Sequence, residues 1–220
     1  INHINHNGES ALLIACYAAN RMLITLLAKK GADVFVSSKN GLSPIWYACG
    51  NNQKEIVKLF LDQGVDVNYA KPIAGNESSM SSYLDWVETA NDISVTAGYN
   101  LNVSYDYGGE SLLHAATKSG HLSMVKMLLD EGAEIDIQDE SGNTPLHYAS
   151  ANGKKDVVKY LLEQKADASI INGKEQKAID YSNIKGFNEI TELILQFDSP
   201  KEEEKKEESS APIDMKKALL

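Results

Sequence analysis

Histidine is the residue type in this chain best suited to chemistry, and it occurs at positions 3, 6, 114, 121 and 147. His114 and His147 occupy the same place in two similar segments of the chain. A zinc site needs three or four ligands that converge on one point, and this regular spacing does not bring them together. The spacing favours a histidine that is hydrogen-bonded near the start of each helix. We therefore predict no metal and no bound cofactor.

Motifs for nucleophilic catalysis or phosphate binding are absent from the sequence. It contains no Ser-His-Asp set, no G-x-S-x-G elbow and no glycine-rich phosphate loop. Cys16 and Cys49 stand at small-residue helical positions, where buried and reduced thiols are expected. The sequence thus predicts a protein that is not an enzyme. The alternative is a non-catalytic regulatory or spacer domain of a larger enzyme or multidomain protein.

Composition limits the class of partner. The 220 residues carry a net charge of -10, which disfavours nucleic acid because phosphate neutralisation needs clustered Lys and Arg. No apolar run approaches the roughly 18 residues of a membrane span. We predict a protein partner, no membrane, a monomeric chain and a cytoplasmic location, which suits reduced thiols.

The chain repeats itself at a fixed interval. The segments GESALLIA, GLSPIWYA, GESLLHAA and GNTPLHYA begin at Gly8, Gly41, Gly109 and Gly142. The first and last intervals are equal, and the middle one is slightly longer than two of them. A weaker copy, KAIDYS, begins at Lys177, one such interval after Thr144. A fixed period of about 33 residues predicts a stack of similar units.

Each unit is predicted to be a helical hairpin. A hydroxyl residue stands at the N-cap of the first helix, at Ser10, Ser43, Ser111 and Thr144, and Pro44 and Pro145 follow at the first helical position. The second helix carries an apolar stripe at helical spacing: Val57, Phe60 and Leu61; Val125, Leu128 and Leu129; Val158, Leu161 and Leu162. Gly31, Gly64 and Gly132 end these helices where a left-handed residue is expected, whereas Lys165 stands at that place in the next unit.

These residues resemble the ankyrin repeat. The resemblance is clearest in GESLLHAATKSGHLSMVKMLLDEGAEID and GNTPLHYASANGKKDVVKYLLEQKADAS. It implies an all-α, ankyrin-type helical solenoid with protruding loops or short β-hairpins, and protein binding as the usual activity. The predicted array of about six units covers residues 1–197, followed by a charged linker at 198–212 and the start of a possible helix at 213–220. The loop INHINHN leads into the first unit and indicates that an earlier repeat could precede it, whereas the last unit is predicted to be the C-terminal cap.

The third unit is predicted to be irregular. Ser82 aligns with the cap serines, and Asp85 takes the place of the histidine, where a carboxylate can reach back to the N-H of the cap residue. This alignment lengthens the preceding loop, 69–82, by six residues and reduces the second helix to DISVT. The expected result is an enlarged loop on the concave edge and a notch in the outer helical layer.

Aromatic residues around the third unit provide the binding-site hypothesis, because Trp and Tyr are enriched at interface hot spots. Tyr83 and Trp86 could equally fill the space that the shortened helix leaves. Loop residues and the ends of the first helices add polar contacts along the same face. The full predicted set comprises Lys39, Asn40, Trp46, Tyr69, Tyr83, Trp86, Tyr105, Tyr107, Lys118, Asp139, Glu140, Asn143 and Asn152.

Overall fold

The computed structural model describes residues 1–6, 8–37, 43–70 and 109–198. These ranges contain ten α-helices, which pair into five hairpins. Hairpin 1 consists of α1 (Ala11–Tyr17) and α2 (Arg21–Lys29), and hairpin 2 of α3 (Pro44–Gly50) and α4 (Lys54–Asp62). Hairpin 3 consists of α5 (Leu112–Ser119) and α6 (Leu122–Asp130), hairpin 4 of α7 (Pro145–Ala151) and α8 (Lys155–Glu163), and hairpin 5 of α9 (Ala178–Lys185) and α10 (Asn188–Asp198). The predicted all-α fold is confirmed.

The predicted N-caps begin the first helices of the hairpins. The hydroxyls of Ser10, Ser43 and Ser111 accept the backbone N-H three residues later, at 3.2, 3.4 and 3.4 Å. Each of these hydrogen bonds satisfies a donor that the helix itself leaves without a partner. Pro44 and Pro145 are the first residues of α3 and α7, as their fixed φ favours.

One continuous apolar core joins the five hairpins. The predicted stripe on the second helices lies in it: Val57, Phe60, Val125, Leu128, Val158 and Leu161 are each 0% exposed. The first helices form one layer and the second helices another, so each hairpin covers the apolar side of the next. Adjacent hairpins therefore supply the burial that a single hairpin lacks.

Hairpins 2 and 3 contact each other directly. The N-H of Leu112 donates to the carbonyl of Tyr69 at 3.3 Å, and the N-H of Glu134 donates to Oδ1 of Asn68 at 2.9 Å. Nε2 of His121 lies 3.0 Å from the carbonyl oxygen of Gly50. Hairpins 2 and 3 are therefore in direct contact, whereas the predicted third unit falls on residues that the structure does not describe and remains a prediction.

Several sequence predictions fall on segments that the structure does not describe. The predicted long loop and shortened helix within 71–108 lie outside the described residues. The same holds for the charged linker beyond Asp198 and for the possible helix at 213–220. These features remain predictions from the sequence.

Two histidines tie neighbouring hairpins together. Nδ1 of His114 accepts the N-H of Ser111 at 3.0 Å, and its Nε2 lies 2.9 Å from the carbonyl oxygen of Asn143 in the next hairpin. His147 repeats the arrangement with Thr144, at 3.1 Å, and with the carbonyl of Gln176, also at 3.1 Å. With Nδ1 accepting, Nε2 carries the proton and donates to the carbonyl. The predicted structural role of these histidines is confirmed.

Leu13 and Trp46 occupy the corresponding position in hairpins 1 and 2. Their side chains end in groups that cannot reproduce both histidine hydrogen bonds. Leu13 is buried in the core, and Trp46 packs against it. Other side chains link hairpins 1 and 2: Nδ2 of Asn51 donates to the carbonyl of Cys16 at 3.2 Å, and Nε2 of Gln53 donates to the carbonyl of Ala19 at 2.9 Å.

Two hydroxyl side chains distinguish hairpin 5 from the earlier hairpins. Ser182 replaces the alanine of every earlier hairpin, and Thr191 replaces Ile24 and three valines. The hydroxyls of Ser182 and Thr191 lie 2.8 Å apart, and Thr191 also donates to Oδ1 of Asn183 at 2.9 Å. Asp180 accepts the N-H of Lys177 at 2.7 Å, as expected of a carboxylate three residues after a cap. Ser182 is 0% exposed and Thr191 is half-buried, so the two hydroxyls satisfy each other within the hairpin.

The closing residues of the second helices are left-handed, as predicted. The φ angle is 81° at Gly31 and 93° at both Gly64 and Gly132, and it is 67° at Lys165. A side chain in this region meets its own backbone, whereas glycine does not. Lys165 is exposed, so no packing contact offsets this strain.

Lys165→Gly is expected to raise the free energy of unfolding by about 0.5–1 kcal/mol, because removal of the strain exceeds the entropy that glycine adds to the unfolded chain. Urea denaturation measures the change. The reverse substitution at the equivalent position, Gly132→Lys, is the control, since no atom lies within 4 Å of a Cβ placed there. It should lose about 1 kcal/mol. Equal stability of all three chains would contradict the argument.

Stability should also fall with acid because of His114. Burial lowers the pKa of His114 to about 4, and His147 and Lys118 act in the same direction, against the Asn143 hydrogen bond and Asp139. An unfolded histidine titrates near 6.5, so the stabilisation is complete above that pH and is lost as the pH falls towards 4.

We expect the free energy of unfolding to fall by roughly 2–3 kcal/mol between pH 6.5 and 4 through this residue. His114→Gln removes the titrating group but keeps an amide in its place. Urea denaturation at several pH values should therefore show a shallower fall for His114→Gln, although carboxylates titrate in both chains. Parallel curves for the two chains would refute the assignment.

Candidate functional site

A surface pocket of about 410 Å³ opens between the first helices of hairpins 1, 2 and 3. Its lining combines aromatic side chains, small residues and one lysine: Tyr17, Trp46, Tyr47, Gly50, Asn51, Ala115, Lys118 and Ser119. Tyr17 comes from α1, Trp46 and Tyr47 from α3, and Lys118 from α5. The pocket exists because hairpin 3 packs directly on hairpin 2, which places Lys118 beside the α3 aromatics.

Three aromatic rings form one side of the pocket. The Tyr47 ring lies edge-on to Tyr17, with centroids 5.7 Å apart and an interplanar angle of 86°, and edge-on to Trp46 at 6.1 Å and 88°. Such T-shaped contacts hold the rings in fixed orientations. Trp46 and Tyr47 are half-buried, whereas 72% of Tyr17 is exposed. A rigid, partly buried ring pair with one exposed ring can receive another apolar side chain.

Tyr47 is also electrostatically perturbed. Burial raises its pKa, and the carboxylate of Glu9 and the phenol of Tyr17 add to the effect. The phenol of Tyr47 therefore remains protonated at neutral pH and can donate a hydrogen bond.

Lys118 neutralises a buried carboxylate beneath the pocket. Its Nζ lies 3.2 Å from Oε1 of Glu110, a residue that is 0% exposed, and 5.6 Å from the centre of the Tyr148 ring. A buried carboxylate needs such a partner because desolvation penalises its charge. The predicted contact residue Lys118 thus has a structural role as well as a place in the pocket.

Asp139 and Asn143 belong to an internal hydrogen-bond network. The hydroxyl of Tyr148 donates to Oδ2 of Asp139 at 2.8 Å, and Oδ1 of Asp139 accepts the N-H of Asn143 at 2.7 Å. Oδ1 of Asn143 in turn accepts Nδ2 of Asn172 from the next loop at 2.8 Å. Burial, Glu110 and Asp139 together raise the pKa of Tyr148 far above its usual range. The prediction of Asp139 and Asn143 as surface contacts is corrected, since both are buried and bonded within the stack.

The other predicted residues are distributed more widely. Tyr69 is half-buried and packs against the core, and the exposed Glu140 and Asn152 do not line the pocket. Nδ2 of Asn152 donates to the carbonyl of Tyr148 at 2.8 Å. Six predicted residues lie outside the described ranges: Lys39, Asn40, Tyr83, Trp86, Tyr105 and Tyr107.

The sequence predicts two of the pocket residues and misses others. Residue type and position indicate Trp46 and Lys118, but not Tyr17, Tyr47 or Asn51. Tyr17 stands seven residues after its cap serine, as Lys118 does after Ser111. This shared register is the signal that could have identified Tyr17.

Metal binding, membrane spanning and thiol chemistry were each considered for the part of the chain that the structure describes. Within it no three His, Cys, Asp or Glu side chains are grouped to hold a metal ion, and no helix has the length and apolarity to cross a membrane. Cys16 and Cys49 are free and buried, as predicted. Burial raises the pKa of Cys16 to about 12 and that of Cys49 further, so neither thiol is an active nucleophile at neutral pH.

Comparison with known proteins points to one family. A family model described as ankyrin repeats (3 copies) matches residues 1–71 and 87–172, which is more than half of the chain. Human transient receptor potential cation channel subfamily A member 1 is 29% identical over 137 residues, or 62% of this chain and 10% of that protein. Human ankyrin repeat and KH domain-containing protein 1 is 27% identical over 137 residues, or 62% of this chain and 4% of that protein. The putative ankyrin repeat protein FPV223 of fowlpox virus is 28% identical over 131 residues, or 59% of this chain and 89% of that protein.

The Glu110–Lys118 pair generates a test of its structural role. Lys118→Met leaves the buried carboxylate without its cation and is expected to lower the free energy of unfolding by about 2–3 kcal/mol, because a buried charge is costly when unpaired. Urea denaturation gives the value. Adding Glu110→Gln should restore most of the loss, and a double variant as unstable as Lys118→Met would contradict the pairing.

Proposed function

Because this chain belongs to the ankyrin repeat family, we propose that it binds a partner protein through the pocket between α1, α3 and α5. Ankyrin repeats are generally protein–protein interaction modules. The observation that carries the proposal is the meeting of Tyr17, Trp46 and Tyr47 in one opening of the helical surface. Aromatic residues of this kind contribute disproportionately to binding energy.

The lining indicates the chemistry of the partner segment. Tyr17, Trp46 and Tyr47 favour an apolar or aromatic side chain in the pocket. The net charge of -10 favours basic residues on either side of it, and attraction of this kind mainly raises the association rate. Lys118 is already paired with Glu110, so it adds little free positive charge. We therefore propose an apolar anchor within a basic segment of the partner.

Loop residues would extend this contact. Glu140 is exposed at the tip of the loop before hairpin 4, and Lys39, Asn40, Tyr105 and Tyr107 are proposed as contacts on sequence grounds. Such residues vary independently of the stack and would determine which partner is recognised. We also propose a monomeric array in the cytoplasm, a compartment that keeps Cys16 and Cys49 reduced.

A spacer or regulatory domain in a multidomain protein is the second candidate function. The matched segment corresponds to only 10% and 4% of the lengths of the two human relatives, which are named as a cation channel and a KH domain-containing protein. Units of this type can therefore form a small part of a larger protein. This candidate predicts that substitutions in the pocket change no interaction.

Tyr17→Ala is the direct test of the pocket. Proteins captured from the source cell with the unaltered chain would be purified and their affinities measured by titration calorimetry. We expect Tyr17→Ala to weaken binding by about tenfold or more, because it removes an exposed aromatic anchor. Stability should change little, since the side chain is largely exposed.

Ile184→Ala is the matched control. Ile184 stands at the position of Tyr17 in hairpin 5, is 69% exposed, and lies far along the stack from the pocket. Its substitution should leave the affinity unchanged. Equal affinities of both variants and the unaltered chain would refute the pocket and favour the spacer. A Tyr105→Ala, Tyr107→Ala chain tests the loop residues in the same assay.

A further inference from the structure

Exposed apolar side chains are concentrated in hairpin 1 and the loop before it. Twelve large apolar side chains are exposed in the described ranges, and eight of them lie within residues 1–35: Ile1, Ile4, Ile14, Tyr17, Met22, Leu23, Leu26 and Phe35. Exposed apolar surface concentrated in one region marks an interaction site. Part of it, on α2, coincides with the side that each later hairpin uses for stacking.

Equivalent positions show what normally covers this side. Leu23 is 40% exposed, but Ile56, Met124, Val157 and Ile190 at the same position are between 0% and 2% exposed. Leu26 is 53% exposed, whereas its four counterparts are half-buried and pack against the core. In hairpins 2, 4 and 5 the second helix of the preceding hairpin packs on this side. The α2 side of hairpin 1 is therefore a stacking surface that the described residues leave open.

The loop before α1 also accepts a hydrogen bond that elsewhere joins the loops of two neighbouring units. Between hairpins 2 and 3, the N-H of Glu134 donates to Oδ1 of Asn68 at 2.9 Å, and between hairpins 3 and 4 that of Asp167 donates to Oδ1 of Asp136 at 3.0 Å. In both pairs the acceptor belongs to the loop of the preceding unit. Asp33 of hairpin 1 makes this hydrogen bond at 2.9 Å with Asn2, which stands at the equivalent loop position.

We propose that the α2 side of hairpin 1 binds one further two-helix repeat unit, stacked in the register of the described hairpins and preceding them in the same stack. Asn2 already occupies the loop position of such a unit, and Leu23 and Leu26 would be covered as Val157 and Tyr160 are covered by hairpin 3. The occupant is thus a helical pair whose apolar side matches that of hairpin 3.

Charge and capping argue against a second copy of the chain as the occupant. Arg21 is paired with Glu55 of hairpin 2 at 3.1 Å, so the repulsion between two α2 sides brought together would come from Lys29 and Lys30 at the end of the helix. Stacking of hairpin 5 from one copy on hairpin 1 of another would bury the remaining exposed part of Thr191, whose hydroxyl replaces an apolar group of the inner hairpins. Neither arrangement suits the surfaces.

The test uses a unit whose stacking this structure already shows. A copy of residues 109–141 is fused to Gly8 and replaces residues 1–7, so that the junction Ser141–Gly8 reproduces the native Ser141–Gly142 step. The graft brings Asp136 to the position of Asn2. In its native place the same unit, hairpin 3, stacks on hairpin 4. We expect the Tm of the extended chain to rise by about 5 °C or more, with more helix per chain by circular dichroism.

Leu23→Glu with Leu26→Glu supplies the control. In the unextended chain this pair should shift the Tm by less than about 2 °C, because both side chains are exposed. In the extended chain it should abolish the rise, whereas Ile184→Glu in hairpin 5 should leave the rise intact. A graft that fails to fold, or a rise that survives the double substitution, overturns the proposal, since the same unit stacks natively on hairpin 4.

Light scattering coupled to gel filtration tests whether a second copy of the chain covers the α2 side instead. The unextended chain should be monomeric from micromolar to millimolar concentration. A dimer that dissociates on the double substitution would overturn the proposal in favour of a second copy. Failure of the Tyr17 test would leave this proposal untouched, because Tyr17 is not part of the stacking contact.

Discussion

Each hairpin of this chain depends on its neighbours for burial of its apolar side. Phe60, Leu128 and Leu161 are fully buried at equivalent positions because a second helix packs over each of them. A single pair of such short helices could not exclude water from these side chains. The caps, the left-handed closing residues and the loop hydrogen bonds all serve to keep the hairpins in one register, so that this burial continues along the stack.

Polar bridges reinforce the same register. His114 and His147 connect the start of one helix to the carbonyl of the next hairpin, and Asp139, Asn143 and Asn172 link successive loops. Buried polar groups are stable only when they are satisfied, so each bridge also penalises a shift of one hairpin against the next. Hairpins 1 and 2 lack the histidine bridge, and the pocket opens beside these two hairpins.

The pocket follows from the direct contact between hairpins 2 and 3. The interval from Gly41 to Gly109 is slightly longer than two repeat lengths, and arithmetic alone favours an additional stacked unit. The hydrogen bonds from Tyr69, Asn68 and Gly50 to hairpin 3 show that the two hairpins are neighbours in space. Consequently Lys118 lies beside Trp46 and Tyr47 rather than one unit away.

The sequence by itself determined the repeat, the hairpins, their caps and the left-handed closing residues, including Lys165, because each depends on a few neighbouring residues. It also identified the structural histidines, since a position that recurs from one repeat to the next must serve the stack. Tertiary structure alone decided which hairpins are adjacent, that Asp139 and Asn143 are buried, and that Tyr17 meets Tyr47 and Trp46. These features depend on contacts between residues far apart in the chain, and repeat spacing carries no information about which units lie next to each other once one interval differs from the rest.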